Sequence, residues 1–300
     1  MDTNLTLRPD SQYRGRFAPS PSGTLHFGSL ITALASYLDA RKNNGIWLVR
    51  IEDIDPPRER VGASDLILKT LDAFGLHWDE SVLYQSKQSE RYRALLNRLH
   101  KSHYCYYCQC TRAKIKAIGG IYQGHCRTLN CSPHNAAIRL INNNPISQFT
   151  DLIQGKVQGD KALANEDFTI HRKDGLFAYQ LAVVADDIYQ KITHVIRGCD
   201  LLEPTVRQLT FFQTLDKTPP QYGHIPLAVT SQGYKLSKQN NAPAIDLNYP
   251  QASLFAALSF LGQQPDESLL KASVEQIIQW AVAHWQIKRV PAKKEIVLVE

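Results

Sequence analysis

The stretch RFAPSPSGTLHFGS, residues 16–29, has the residue types of a phosphate-binding loop. It leads from a short apolar strand into a helical pattern, and a helix N-terminus offers unpaired N–H groups and positive potential to an anion. Gly23 and Gly28 let the backbone approach a ligand closely. The motifs GxGxxG and GxxxxGK[ST] are both absent, so His26 would supply the donor that a lysine supplies in the second motif. The alternative is a proline-rich turn with a structural histidine.

A second candidate stretch is GYKLSKQN, residues 233–240, a polar and cationic loop. Lys235 and Lys238 could neutralise negative charge on a bound nucleotide as it reacts. A KxxK pair is also typical of a solvated surface, and taken alone the pair is better explained in that way.

The cysteines are crowded, because five of the six fall between residues 105 and 131. In a reducing compartment such crowding favours a metal site over disulfides. The spacing offers three thiolates: Cys108, Cys110 and Cys126. Tetrahedral zinc then needs a fourth ligand, and the candidates are His125, Tyr122, Cys131, His134 and Cys105. Free buried cysteines are the alternative.

Composition limits the class of protein. The chain has 300 residues, of which 43% are hydrophobic and 21% charged, as is ordinary for a globular protein. No run of about 18 apolar residues is present, so we expect no membrane span. The polar N-terminus lacks a signal peptide, and we expect a cytoplasmic protein. The net charge of +6 fits a polyanionic partner and many ordinary enzymes equally well.

The elements that must position these residues form a strand–helix–strand unit. Apolar strands are predicted at 13–17 and 45–52, and residues 29–42 have helical spacing. Short links between such elements indicate a parallel sheet. Further helices are predicted at 64–76, at 89–102 and in two segments beyond residue 250.

Four motifs resemble one known family. His26-Phe27-Gly28-Ser29 resembles the HIGH signature of class I aminoacyl-tRNA synthetases, and its flanks are similar to those of glutamyl-tRNA synthetases. RIEDIDPPRE (50–59) and HVIRGCDLL (194–202) resemble the following glutamyl-specific blocks. KLSKQ resembles the KMSKS motif, with leucine for methionine and Gln239 for the last serine. Four motifs in the family order make a chance match very improbable.

The resemblance implies an α/β fold, namely a class I synthetase Rossmann-like parallel sheet with an inserted zinc-bearing subdomain and a small helical C-terminal subdomain. We expect residues 1–88 and 176–232 to form the catalytic domain. Residues 89–175 would form the zinc-bearing, acceptor-binding insertion, and residues 233–300 the KLSKQ loop and the helical subdomain.

The resemblance also implies roles for individual residues. Glutamate would be bound by Arg16, Ala18, Ser20, Glu52, Tyr179 and Arg197. ATP would be bound by His26, Gly28, Lys235 and Lys238, of which His26 and the two lysines are catalytic. Guanidinium groups suit carboxylates, and Glu52 could pair with the α-ammonium. Which arginine meets which carboxylate stays open, and Glu52 could instead be an exposed acid at a strand end.

For the cysteines, the resemblance to short glutamyl-synthetase paralogues implies one structural zinc per chain. The implied ligands are Cys108, Cys110, Tyr122 and Cys126. Such a metal would stabilise an insertion that has little apolar core. ATP would enter as a substrate together with Mg²⁺.

The chain ends about sixty residues after Lys238, without the helical domains that read the anticodon in full-length glutamyl-tRNA synthetases. The truncated paralogues imply activation of L-glutamate with ATP and its transfer to queuosine in the anticodon of tRNA(Asp), by a monomer. Three alternatives remain. They are a truncated glutamyl-tRNA synthetase that charges a tRNA 3′ end, a nucleotidyltransferase that adenylates another small molecule, and a non-catalytic zinc-bearing RNA-binding relative.

Overall fold

The structure is a computed structural model, and it describes residues 12–231 and 245–298. The strands are β1 (Arg14–Phe17), β2 (Ile46–Ile51), β3 (Leu83–Tyr84), β4 (Cys105–Cys108), β5 (Ala137–Leu140), β6 (Gln148–Asp151), β7 (Gly155–Gln158), β8 (Thr169–His171), β9 (His194–Gly198), β10 (Gln221–Ile225), β11 (Leu227–Val229) and β12 (Glu295–Val297). The helices are α1 (Phe27–Lys42), α2 (Ala63–Ala73), α3 (Ser89–Lys101), α4 (Arg112–Ala117), α5 (Lys161–Ala164), α6 (Tyr179–Tyr189), α7 (Thr205–Thr214), α8 (Pro250–Phe260) and α9 (Val274–His284).

The central sheet is parallel, as the sequence predicted. β1 pairs with β2 and β2 with β3, while β9 pairs with β10. Successive carbonyls of a strand point to opposite sides. The Tyr13 carbonyl accepts from Ile46 N on the β2 side at 2.8 Å, and the Arg14 carbonyl accepts from Thr193 N beside β9 at 2.9 Å. The strand order is therefore β3-β2-β1-β9-β10.

Helix α1 connects β1 to β2 and is almost entirely buried. Leu30, Leu34 and Leu38 lie on one helix face and are inaccessible to solvent. Asp39 on α1 accepts a hydrogen bond from the Tyr13 hydroxyl at 2.5 Å and another from Trp285 Nε1 at 2.9 Å. These bonds join α1 to the start of β1 and to the residue after α9. Both C-terminal helices therefore pack in the same core as α1.

A second core lies around α6 and α7. Leu181 and Val184 of α6 pack with Phe211 of α7 and with Tyr92 of α3. The same core includes Phe168, from the connection into β8. The segment that follows α3 is therefore anchored on α6 and α7 at both of its ends.

The cysteine-rich region lies on a small antiparallel sheet. β4, β5 and β8 form this sheet, and β6 and β7 form a separate hairpin. At the far end of the chain β12 pairs in parallel with β11, which returns the C-terminal segment to the catalytic part. Within the described ranges, no helix is long and apolar enough to cross a membrane.

Candidate active site

A cleft of about 560 Å³ lies where β1, β2 and β9 end and α1 begins. The crevice beyond the carboxyl ends of parallel strands is the usual ligand site of such folds. All the described residues that the sequence analysis selected for glutamate and ATP line it: Arg16, Ala18, Ser20, His26, Gly28, Glu52, Tyr179 and Arg197. Lys235 and Lys238 lie outside the described residues.

The loop from β1 to α1 brings a helix N-terminus to the cleft. His26 is the N-cap of α1, and its Nδ1 accepts a hydrogen bond from Ser29 N at 3.3 Å. A neutral ring with Nδ1 as acceptor carries its proton on Nε2. Gly23 has φ +138°, a backbone conformation that side chains other than glycine rarely adopt. The first turn of α1 contains no acid, so its positive potential is not cancelled locally.

Arg16 is held at the floor of the cleft by a buried acid. Its Nε and Nη2 donate to the two carboxylate oxygens of Asp187 at 3.3 and 3.2 Å. Arg50 Nη2 donates to the same carboxylate at 2.5 Å. Burial alone would raise the pKa of Asp187, but the two guanidiniums lower it below its ordinary value. Asp187 thus holds Arg16 and Arg50 side by side beneath the cleft.

Glu52 follows β2 and is partly buried in the cleft wall. Burial raises its pKa to about 7, although Arg16 and Arg50 act to lower it. Tyr179, at the start of α6, lines the same wall, and burial followed by the Glu52 charge raises the pKa of its hydroxyl. A carboxyl group whose pKa lies near 7 ionises fully when a cation such as an ammonium group binds beside it.

Arg197, at the end of β9, is fixed by its own set of partners. Nε donates to His224 Nε2 at 3.0 Å, and Nη2 donates to Thr205 Oγ1 at 2.7 Å. Nη1 is buried and has no partner in the described part of the chain. Behind His224, the Asp151 carboxylate lies 2.6 Å from Nδ1. The arginine thus keeps one donor for a cleft ligand.

Sequence reasoning missed the acids and the histidine that hold these arginines. Asp187, which holds Arg16, is buried on α6 next to Asp186, and a pair of consecutive acids inside the apolar run LAVVADD was the available signal. Nothing in the local sequence around Asp151 or His224 marks them, because their partners are distant along the chain.

A second pocket, of about 860 Å³, adjoins the cleft on the side of the cysteine-rich region. The two share Ser20, Ser22, Glu52, Arg58 and Tyr179, so a group bound in one could reach a group bound in the other. Phe177 and three further arginines, namely Arg112, Arg139 and Arg172, line the second pocket together with the acids Asp55, Glu59 and Asp174. An aromatic ring can stack on a base and arginines can donate to phosphates, so this lining has groups that could contact nucleic acid.

Three cysteines converge at the outer end of the antiparallel sheet. The sulfur atoms of Cys108, Cys110 and Cys126 lie within 4.8 Å of one another, so they could hold a metal ion. Tyr122 is fully buried beside them, and its hydroxyl accepts from Cys126 N at 2.6 Å. The Arg139 guanidinium stacks on the Tyr122 ring at 3.7 Å from the ring centroid. His125, His134, Cys105 and Cys131 are outside this group of metal-binding atoms in the described chain.

The donor set fits zinc. Thiolates are preferred zinc ligands, and a buried phenol beside three of them offers an oxygen for the fourth position. Burial raises the pKa of the Tyr122 hydroxyl, so only a bound metal ion would hold it as the phenolate that ligation requires.

The fold, the helix-mouth loop and the paired arginines define a class I synthetase catalytic core, and comparison with known proteins agrees. Residues 12–296 match the family described as tRNA synthetases class I (E and Q), catalytic domain. A solved glutamate tRNA ligase from Elizabethkingia meningosepticum, in complex with its amino acid, superposes with a TM-score of 0.78 at 24% identity. That match covers 94% of this chain and 66% of the solved one, and it shows the fold.

Closer relatives are full-length matches. The chain is 66% identical over 296 residues to a glutamyl-Q tRNA(Asp) synthetase from Colwellia psychrerythraea, covering 95% of this chain and 94% of the relative. It is 57% identical over 282 residues to the glutamyl-Q tRNA(Asp) synthetase of Escherichia coli K12, covering 94% and 92%. The chain therefore belongs to the class I tRNA synthetases, where it is a ligase of the glutamyl-Q tRNA(Asp) synthetase family.

Proposed function

We propose that this protein activates L-glutamate with ATP to glutamyl-adenylate and transfers the glutamyl group to queuosine in the anticodon of tRNA(Asp). The observation that carries the proposal is the cleft itself, which gathers an anion-binding helix mouth, two buried arginines and a carboxylate. The family to which the chain belongs supports the same substrates.

Activation would need no covalent enzyme intermediate. An oxygen of the glutamate α-carboxylate attacks the α-phosphorus of ATP, which enters with Mg²⁺, and pyrophosphate leaves. Catalysis then consists of positioning the reactants and stabilising the charge that develops on phosphate. His26 would donate from the mouth of α1, where Gly28 allows close approach, and Lys235 and Lys238 would supply the remaining cations.

Glutamate recognition follows from the charges of the cleft. Arg16 and Arg197 would bind the two carboxylates, because both are fixed in orientation by partners behind them. Glu52 would bind the α-ammonium, with Tyr179 donating its hydroxyl and the loop at Ala18 and Ser20 closing the site. Glutamine would lose the charge pair that one of these arginines makes with the side-chain carboxylate, so it should be a poor substrate.

Transfer would use the pocket that adjoins the cleft. A hydroxyl of the queuosine cyclopentenediol attacks the adenylate carbonyl carbon, AMP leaves and an ester forms. An anticodon loop can insert a splayed base into a pocket as a single strand. The 860 Å³ pocket has the room for such a nucleoside, Phe177 and several arginines in its lining could contact it, and the pocket opens on the cleft through their shared residues.

The cysteine cluster would be a structural zinc site with Cys108, Cys110, Tyr122 and Cys126 as ligands. In this arrangement residues 89–175 form a zinc-bearing, acceptor-binding insertion between the catalytic segments 1–88 and 176–232. Residues 233–300 add the KLSKQ loop and the C-terminal helices. The support is the convergence of three thiols and a buried phenol in a region with a small apolar core.

The test has two stages. ATP–pyrophosphate exchange should proceed with glutamate and at a far lower rate with glutamine. Equal rates would contradict the assignment of both arginines to carboxylates.

Radiolabelled glutamate should then be transferred to tRNA(Asp) that carries queuosine, even after removal of the 3′-terminal adenosine. Labelling of tRNA(Asp) without queuosine, or efficient charging of tRNA(Glu), would favour a truncated glutamyl-tRNA synthetase instead. Absence of exchange with every amino acid would favour the non-catalytic relative.

A further inference from the structure

Arg197 is the first of three buried side chains that are linked by hydrogen bonds. The last of the three lies outside the central sheet. Arg197 lies on β9 and His224 on β10, whereas Asp151 ends β6 in the hairpin before α5. All three are buried, with 3%, 0% and 3% of their surface exposed. The path from the cleft runs from Arg197 Nε to His224 Nε2 at 3.0 Å and from His224 Nδ1 to Asp151 Oδ2 at 2.6 Å.

His224 can make both of these hydrogen bonds in only one tautomer. A guanidinium nitrogen cannot accept a hydrogen bond, so Nε2 of His224 must be unprotonated to accept from Arg197. The proton is therefore on Nδ1, where it is donated to Asp151. Burial lowers the pKa of His224, which keeps the ring neutral near pH 7.

Asp151 is itself held rigidly. Its Oδ1 accepts from the backbone N–H groups of Ile153, Gln154 and His224 at 2.9, 2.9 and 3.1 Å. Oδ2 therefore faces the histidine, and the carboxylate cannot rotate without breaking three bonds. Burial raises the pKa of Asp151, but the contact with the His224 side chain and the N–H groups of Gln154 and Ile153 lower it below its ordinary value, so Asp151 is an anion at neutral pH.

We propose that Asp151 and His224 are positioning residues that select the His224 tautomer and so aim the partnerless Nη1 of Arg197 at a carboxylate of the amino acid substrate. Arg197 Nε and Nη2 are both occupied, by His224 and Thr205, which leaves Nη1 as the donor for the cleft. The identity of that substrate as glutamate rests on the function proposed above, whereas the tautomer does not.

The variant D151N separates this role from simple packing. In D151N, the atom that accepts the three backbone N–H groups must be the amide oxygen. The amide nitrogen of Asn would therefore take the place of Oδ2. It would donate to His224 Nδ1 and force the proton onto Nε2, where it opposes the N–H of Arg197 Nε. The substitution keeps the shape of the side chain, reverses the hydrogen-bond pattern and removes one negative charge, and the control below removes the same charge.

In pyrophosphate exchange, D151N should raise the KM for glutamate by about tenfold to a hundredfold, the range for one misaligned hydrogen bond to a charged group. The kcat should fall by less than about threefold and the KM for ATP should not change, because uniform substrate binding is what is lost. D160N is the matched control. Asp160 carries the same side chain as an exposed cap of α5, and asparagine serves as well there.

The double variant D151N/H224M tests the histidine. In H224M the side chain has no ring nitrogen and no amide, so position 151 has no tautomer and no donor–acceptor orientation to select. D151N should therefore change the glutamate KM by less than about twofold in the H224M background. An equal effect of D151N in both backgrounds would overturn the proposal.

The tautomer of His224 can also be measured without an activity assay. Nitrogen-15 NMR of protein labelled at histidine, with the His224 signal identified by its loss in H224M, should show Nδ1–H in the wild type and Nε2–H in D151N. A wild-type Nε2–H tautomer would contradict the proposal, as would a D151N protein that switches tautomer and keeps the wild-type KM. Absence of exchange in the wild type, with the expected tautomers, would instead contradict the proposed function.

Discussion

The amino acid cleft and the cysteine cluster differ in what holds their side chains in place. The cleft lies on strands whose neighbours, such as Leu34, Trp47 and Val49, are completely buried in the main core. The buried part of the cysteine cluster consists of Tyr106, Cys108, Tyr122 and Cys126, with few apolar side chains around it. A site on a packed sheet is formed by the fold, whereas a site with so small a core should depend on the metal that its thiolates could hold.

Flanking residues sharpen the contrast. Ile118 and Leu129, close to the cysteines in sequence, have 46% and 56% of their surface exposed. In the cleft, by contrast, Arg16 is 4% exposed and bound through two nitrogens to Asp187. The two regions should therefore respond differently to metal removal and to substitution.

The largest effect should come from removing a metal ligand. In C126S, zinc content should fall to background and transfer of glutamate to tRNA should fall to about one thousandth or less, because metal binding supplies the folding free energy of this region. Pyrophosphate exchange should stay within about threefold of the wild type. C131S is the matched control, since Cys131 is outside the metal-binding group. Equal loss of exchange and transfer in C126S would remove the distinction between the regions.

The converse experiment changes a residue of the cleft and leaves the cysteine cluster unchanged. H26A should lower the rate of pyrophosphate exchange by about 10²–10³-fold, the usual cost of removing one donor to developing charge. Zinc content should be unchanged. Because His26 also caps α1, H26N serves as a control that retains a cap acceptor. A wild-type exchange rate in H26A would show that His26 has no part in the mechanism. We expect K238A to lose exchange activity by a similar factor.

A smaller effect should follow loss of the phenol at the cysteine cluster. Y122F retains three thiolates, so zinc should still bind. Competition with a chelator should show a zinc affinity at least about tenfold lower than that of the wild type. About tenfold is the lower end of the loss that follows removal of an outer-shell partner of a metal site. Unchanged affinity would assign the fourth position to another donor and leave the cysteines as ligands.

The smallest effect should be a shift in melting temperature caused by Glu52. With its pKa raised to about 7, the folded state retains a proton that the unfolded state releases near pH 4.5, so stability decreases as pH rises between these values. E52Q removes the cost of a buried charge. It should therefore melt about 2 °C or more above the wild type at pH 8, with the difference shrinking towards pH 5.

Binding should show the opposite trend. E52Q should fail to activate glutamate at any pH, and the wild-type KM for glutamate should rise as pH falls below 7, because only the ionised carboxyl attracts an ammonium group. Identical melting temperatures at pH 8, or glutamate activation by E52Q, would mean that Glu52 is an exposed acid without this role.

Much of the site could be read from the sequence because its residues lie in short continuous stretches. The loop that contains Arg16, Ser20 and His26 joins a strand and a helix whose patterns are local, and the structure finds them at 14–17 and 27–42. The order of the motifs indicated the family, which the comparisons confirm. The spacing of the cysteines likewise predicted a cluster that the structure brings within 4.8 Å.

The sequence by itself thus determined the parallel fold, the loop at the helix mouth and the three thiols, since each follows from a pattern within one continuous stretch of the chain. Only the tertiary structure decided what lies behind the arginines. Asp187 reaches Arg16 from 171 residues away, and Asp151 reaches His224 from 73 residues away. Such pairs are set by how α6 and the β6–β7 hairpin pack against the sheet, and no local pattern records that packing.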